Sequence, residues 1–162
     1  MGVGGIAKYA HMPGWKNLQG AEVVAVSDVR EDVAKAFAKD FGIKNVFTDY
    51  NKMLEMDELE IIDICAPNMI HYPAAMAGFK AGKHVLSEKP LTVTPKHVQD
   101  MIDASKKAKK KLCSIQNHRF RAEAQVLKKM IDKGEGARAQ AQASSGCPDI
   151  HKEKPFRRRA VP

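Results

Sequence analysis

The sequence predicts a doubly wound α/β fold built around a parallel sheet. Short, β-branched apolar runs alternate along it with segments whose apolar residues fall at three-and-four spacing. The apolar runs show little polar alternation, as strands do when helices cover both faces. Right-handed crossovers then leave an open sheet wrapped by helices on both sides as the natural arrangement.

In chain order, Gly2-Val3-Gly4-Gly5-Ile6-Ala7 is a G-x-G-x-x-A turn that opens a helical segment. Ala21–Asp28 (AEVVAVSD) is a strand ended by an acid. Glu31–Phe41 sets Val33, Ala34, Phe37, Ala38 and Phe41 on one helical face and stops at Gly42. Val46–Phe47 is a weak strand and Asn51–Met56 a short helix. Ile61–Ala66 (IIDICA) is a buried strand cut by Pro67, followed by a helix over His71–Ala81 that Gly82 closes. Lys83–Ser87 is the next strand. Thr94–Lys110 is a helix with Thr94 as its cap and Pro95 in its first turn. Leu112–Gln116 is a strand, Arg121–Lys133 a helix ended by Gly134, and Ala137–Ala143 a weak strand before an irregular tail. The expected organisation is one nucleotide-binding domain over 1–136 and a tail over 137–162.

Composition narrows the class further. The 162 residues suffice for a single core, and 44% hydrophobic with 28% charged residues is the balance of an ordinary globular chain. No apolar run approaches the ~20 residues of a membrane span, and Met-Gly-Val-Gly-Gly lacks the regions of a secretory signal. Cys65, Cys113 and Cys147 are odd in number and far apart, so neither a disulfide framework nor a metal site is expected. Cys65 and Cys113 read as buried, reduced thiols, which implies a cytoplasmic setting. The net charge of +8 gathers in Lys106–Lys111, at a helix end, and in Lys152–Arg159, in the tail. No aromatic residues interleave with these cations as stacking platforms, so nucleic acid is not an expected partner.

The glycine turn carries the first chemical expectation. Gly2 permits a tight turn, Gly4 lets the backbone approach a pyrophosphate, and the small Ala7 lets the helix pack closely. Gly5 and Ile6 open the helix, whose free N–H groups and dipole favour phosphate. Asp28 lies about 20 residues on, where a carboxylate accepts ribose hydroxyls. Its alternative role is a cap for the helix beginning near Arg30. An Asp at this place disfavours a 2′-phosphate whereas the neighbouring Arg30 accepts one, so NAD and NADP both stay open. Such a turn normally follows a strand, yet only Met1 precedes Gly2. The first strand is central in the 3-2-1-4-5-6 order, so its absence is expected to leave a gap between its neighbours.

Three later segments identify a family. Ala66-Pro67-Asn68-Met69-Ile70-His71, then Gly82-Lys83-His84-Val85-Leu86-Ser87-Glu88-Lys89-Pro90, then Gln116-Asn117-His118-Arg119-Phe120 follow the loop and Asp28 in order. Together they resemble the Gfo/Idh/MocA family of NAD(P)-dependent oxidoreductases, over roughly residues 2–136. GKHVLSEKPL is the most specific of these matches. The resemblance implies a Rossmann domain for NAD or NADP and a second α/β domain for a sugar or polyol substrate and for homo-oligomer contacts. It implies Lys89 as the catalytic lysine, Glu88 at the nicotinamide ribose, and Pro90 fixing the turn between them. Pro67, Asn68 and His71 are implied to line the cofactor groove, with Asn117 and Arg119 at its nicotinamide end. Hydride transfer from a hydroxyl-bearing carbon needs a group that takes the hydroxyl proton, and a lysine beside a positively charged ring suits that task near neutrality.

Each of these residues has a plainer reading. Lys89 is otherwise a surface lysine in a turn, and His71 a helix-start histidine. His11, His84, His97 and His118 are expected to be structural, and Trp15 and the methionines to be core. The family's usual His from the second domain has no counterpart here. Asp149-Ile150-His151 has the wrong spacing, and only Arg157-Arg158-Arg159 resembles the passage into that domain. The expectation is a cofactor-binding part of an oxidoreductase that lacks its first strand and its substrate domain. The alternative is a stand-alone, non-catalytic dinucleotide-binding module.

Overall fold

The computed structural model describes residues 1–134, which fall into two compact units, Met1–Gln116 and a second beginning at Asn117. The first unit holds five short parallel strands: β1 (Ala25–Ser27), β2 (Asn45–Phe47), β3 (Ile61–Ile64), β4 (His84–Ser87) and β5 (Leu112–Ser114). β1 pairs with β2, and β3, β4 and β5 form a separate ladder in that order. The crossovers are helices α2 (Glu31–Phe41), α3 (Tyr50–Leu54), α4 (Asn68–Lys80) and α5 (Pro95–Ala108). Ahead of β1 the chain turns through a π-helical segment, Ala7–His11, and continues as α1 (Met12–Asn17).

Met1–Val3 joins the two ladders. Gly2 N–H donates to Ser27 O at 2.8 Å, on the β1 side. Met1 N donates to Asp63 O, and Cys65 N–H to Met1 O, both at 2.8 Å, on the β3 side. These residues stand where the central strand of a 3-2-1-4-5-6 sheet ends. Toward the other end β1 and β3 diverge around a groove of about 260 Å³ lined by Trp15, Val23, Val24, Glu60 and Ile61 among others. β1 starts at Ala25, although Ala21–Asp28 reads as a strand, because its pairing with β2 begins at Ala25 and Asn45. At β2, Asn45 Nδ2 donates to Val24 O at 3.0 Å instead.

Packing follows the apolar pattern. Ile62, Ile64, Val85, Ala74, Ala75, Phe79 and Met101 form one buried cluster between α4, α5 and the β3–β5 ladder. Val3, Ala7, Met12, Val26, Phe37 and Ala38 form the other, under α2 and the glycine-turn helix. Gly78 lets α4 lie close on the sheet, since a Cβ there would meet Ile62 Cδ1 at 2.5 Å. Thr94 caps α5 as expected, its Oγ1 accepting from His97 N–H at 3.3 Å, and α2 ends on Gly42 at φ 74°. Three expectations need correction. Cys113 is exposed rather than buried, on β5, which ends the ladder among the described residues. Met69 and Met130 are exposed. α4 begins at Asn68 instead of His71, with Pro67 as the extended residue before it.

In the second unit a 3-10 turn over Asn117–Phe120 precedes α6 (Ala122–Asp132), and both are solvent-exposed. Ala137–Ala143 and the tail with His151 and Arg157–Arg159 lie outside the described residues.

Candidate functional site

The candidate site gathers at the carboxyl ends of β1, β3 and β4, the usual place for ligands on such a sheet. Gly2 sits at φ 74° against the end of β3, where a Cβ would lie 2.8 Å from Cys65 C and O and from Ala66 N. Glycine is required there on both counts. Over Gly4, by contrast, a Cβ would meet nothing within 4 Å, and Gly5 and Ile6 are exposed. The backbone that starts the helix (Lys8 N–H to Gly4 O, 3.1 Å) is therefore open on the side that a pyrophosphate needs.

Asp28 stands immediately after β1. Its Oδ2 accepts Val3 N–H at 3.1 Å and its Oδ1 accepts Arg30 N–H at 3.1 Å, with Arg30 Nε at 3.3 Å. Burial would raise this carboxyl's pKa, but the hydrogen bonds from Arg30 and Val3 and the guanidinium charge outweigh it and hold the group below the usual range. Asp28 does not cap α2, whose N-cap position is Arg30 with no side-chain cap bond. Its Oδ1 closes a turn ahead of α2, and its Oδ2 ties the glycine loop to β1. Arg30 has 60% of its side chain exposed and points its charge at the same carboxylate.

β4 delivers the EKP turn. Glu88 N–H donates to Ile64 O at 2.9 Å, which extends the β3–β4 ladder, and the Lys89–Pro90 peptide that follows is cis. Glu88 is buried, while Lys89 and Pro90 are exposed. Glu88 Oε2 accepts Lys89 N–H at 2.8 Å and Oε1 lies 3.0 Å from His11 Nε2. Burial pushes the Glu88 pKa up, yet hydrogen bonds from His11 and the Lys89 amide bring it below the ordinary glutamate value.

Of the Ala66–His71 segment, Pro67 and Asn68 are exposed beside the glycine turn. His71 is 1% exposed, and its nitrogens face Pro90 O at 2.7 Å and Ala66 O at 2.8 Å. It therefore contributes by pinning the EKP turn to the end of β3, with no surface left to line a groove. Asn117 and Arg119 lie in the exposed turn of the second unit.

Sequence reasoning placed His11 among structural histidines and Trp15 in the core. Instead both converge on Asp63 of β3: His11 Nδ1 lies 2.8 Å, and Trp15 Nε1 2.7 Å, from Asp63 Oδ2. The available signal was an ionisable residue inside a buried strand, Asp63 in IIDICA, which demands a partner.

These features define a nucleotide-binding α/β domain with its loop, acid and lysine-bearing turn at one end of a parallel sheet. The chain belongs to the Gfo/Idh/MocA oxidoreductase family: residues 1–116 match the family described as "Oxidoreductase family, NAD-binding Rossmann fold". It is 32% identical over 134 residues to D-glucoside 3-dehydrogenase of Escherichia coli, covering 83% of this chain and 38% of that protein. It is 31% identical over 124 residues to myo-inositol 2-dehydrogenase of Thermotoga maritima, covering 76% and 37%. Among solved structures, a probable dehydrogenase from Thermotoga maritima superposes with TM-score 0.75 at 31% identity, over 82% of this chain and 39% of that one. The WlbA dehydrogenase from Bordetella pertussis, solved in complex with NADH and UDP-GlcNAcA, gives 0.77 at 27% identity, over 82% and 40%. The chain spans about two fifths of the length of these proteins.

Proposed function

We propose that this chain is the cofactor-binding part of an oxidoreductase that moves a hydride between NAD or NADP and a hydroxyl-bearing carbon of a sugar, polyol or derivative. One observation carries the reading. The glycine loop, packed on Cys65 and Ala66 and tied through Val3 to Asp28, shares a sheet end with the turn that exposes Lys89. When bound, the nicotinamide cofactor supplies the hydride acceptor or donor. The loop amides after Gly4 hold phosphate, Asp28 accepts the adenosine ribose hydroxyls, and Glu88 with Pro90 orients Lys89. Lys89 takes the substrate's hydroxyl proton in oxidation and returns it in reduction. Asn117 and Arg119 are assigned to the nicotinamide end on the family resemblance.

The relatives, dehydrogenases of glucosides and inositol by name, support the substrate class. The substrate-side groups belong to a second domain, and the resemblance supports homo-oligomer assembly of the full-length protein. No helix of the described residues is long and apolar enough to cross a membrane. The free thiols of Cys65 and Cys113 support a reducing, cytoplasmic setting. Titration of the full-length chain with NADH and with NADPH, followed by fluorescence, tests the cofactor half of the reading. Saturable binding of at least one is expected, and binding of neither refutes it.

A further inference from the structure

His11 occupies an unusual place for a histidine. It ends the π-helical turn that follows the glycine loop, and turns of this kind recur at functional sites. Its side chain is 8% exposed. Nδ1 lies 2.8 Å from Asp63 Oδ2, and Nε2 lies 3.0 Å from Glu88 Oε1. Cys65 Sγ is 3.3 Å from Nδ1, Trp15 Nε1 donates to the same Asp63 oxygen at 2.7 Å, and the Met1 amino group donates to Asp63 O.

Carboxylates accept and do not donate, so a ring that serves one on each nitrogen needs an N–H at both. His11 is therefore an imidazolium. Hydrogen bonding to Asp63, then to Cys65 and Glu88, overcomes the opposing effect of burial and pushes its pKa up to about 11. The positive charge is thus permanent over the working range of an enzyme. It acts as a fixed strut where an ordinary histidine would switch.

Glu88 transmits that strut to the chemistry. With Oε1 held by His11, the carboxylate plane is set, and Oε2 is left aimed at Lys89 N–H, 2.8 Å away. His11 rides on the helix that the glycine loop opens, Asp63 belongs to β3, and Glu88 follows β4. One ring thus ties the glycine-loop helix to the paired ends of β3 and β4.

We propose that His11 is a positioning residue: clamped between Asp63 and Glu88, it sets the Glu88 carboxylate that fixes the Lys89 backbone, and so locks the phosphate-loop helix to the turn presenting Lys89. The proposal rests on the reading of Lys89 as the proton-transfer group. Misplacing a reacting group by ~1 Å can cost ~10²-fold in rate. In the full-length enzyme His11→Gln is accordingly expected to lower kcat by about 10²-fold, with substrate KM changed by less than about threefold. Without its cation Glu88 becomes harder to ionise, so the acid limb of the kcat–pH profile moves to higher pH. His11→Gly should recover part of kcat on adding imidazole.

A purely structural histidine would move neither the pH limb nor the imidazole response. An unchanged limb with no rescue, in variants whose circular dichroism matches the wild type, overturns the proposal. A second measurement does not depend on any variant folding. Side-chain ¹⁵N spectra of the unmutated protein should show both His11 nitrogens protonated from about pH 6 to 9, spanning the ordinary histidine pKa of ~6.5. A neutral ring in that range also overturns it. Failure of the underlying reading looks different: Lys89→Ala would keep wild-type turnover while the His11 spectrum stayed that of an imidazolium.

Discussion

Val3 N–H donates to Asp28 Oδ2 at 3.1 Å, and this bond binds the glycine loop to the carboxylate at the end of β1. The glycine loop and Asp28, proposed to meet phosphate and ribose, are held as one piece, and Asp28 keeps its charge because the amides of Arg30 and Val3 solvate it from within the protein. A dinucleotide bridging them meets a preformed surface and loses less ordering free energy on binding.

Asp28→Ala should weaken NADH binding by about 1–3 kcal/mol, the range for leaving hydrogen-bonding groups of a ligand unpaired. Calorimetric titration of the full-length chain measures this directly. Arg30→Ala is expected to weaken NADPH more than NADH, since the guanidinium is exposed and lies beside Asp28, the residue proposed to meet the ribose. Equal losses for the two cofactors would remove Arg30 from the 2′ end.

Lys89→Ala should lower turnover of the full-length enzyme by about 10²–10⁴-fold, as removal of a positioned acid or base does. Cofactor affinity should change little, because the Lys89 side chain is exposed while Glu88 keeps the turn in place. Single-turnover kinetics with a slowly reacting substrate would show whether the loss falls on the chemical step.

Stability is expected to depend on pH through His11. Its pKa is raised from about 6.5 to about 11 in the fold, so its contribution is complete below about pH 6.5 and is lost as pH rises through about 11. Denaturant midpoints should therefore fall between about pH 7 and 10, and His11→Gln should flatten that fall. Asp63 and Glu88 work in the opposite direction, their depressed pKa values withdrawing stability as pH drops below the carboxylate range. Parallel slopes for wild type and His11→Gln above neutrality would show the imidazolium to be absent.

The sequence alone determined the alternation of elements and their parallel arrangement, because two-sided apolar runs such as IIDICA have only one economical environment. Spacing along the chain singled out the glycine loop and Asp28, and the resemblance to the family singled out the Glu88-Lys89-Pro90 turn. Sequence reasoning missed the His11–Asp63–Trp15–Glu88 network. Those residues lie in three separate segments, and each alone reads as an ordinary helix or strand residue; only the packing of the glycine-loop helix on β3 and β4 brings their polar atoms within hydrogen-bonding reach. The burial of His71 was likewise decided by its bonds to Ala66 O and Pro90 O. Pairing of charge across distant segments is set by tertiary packing, and no periodicity along the chain encodes it.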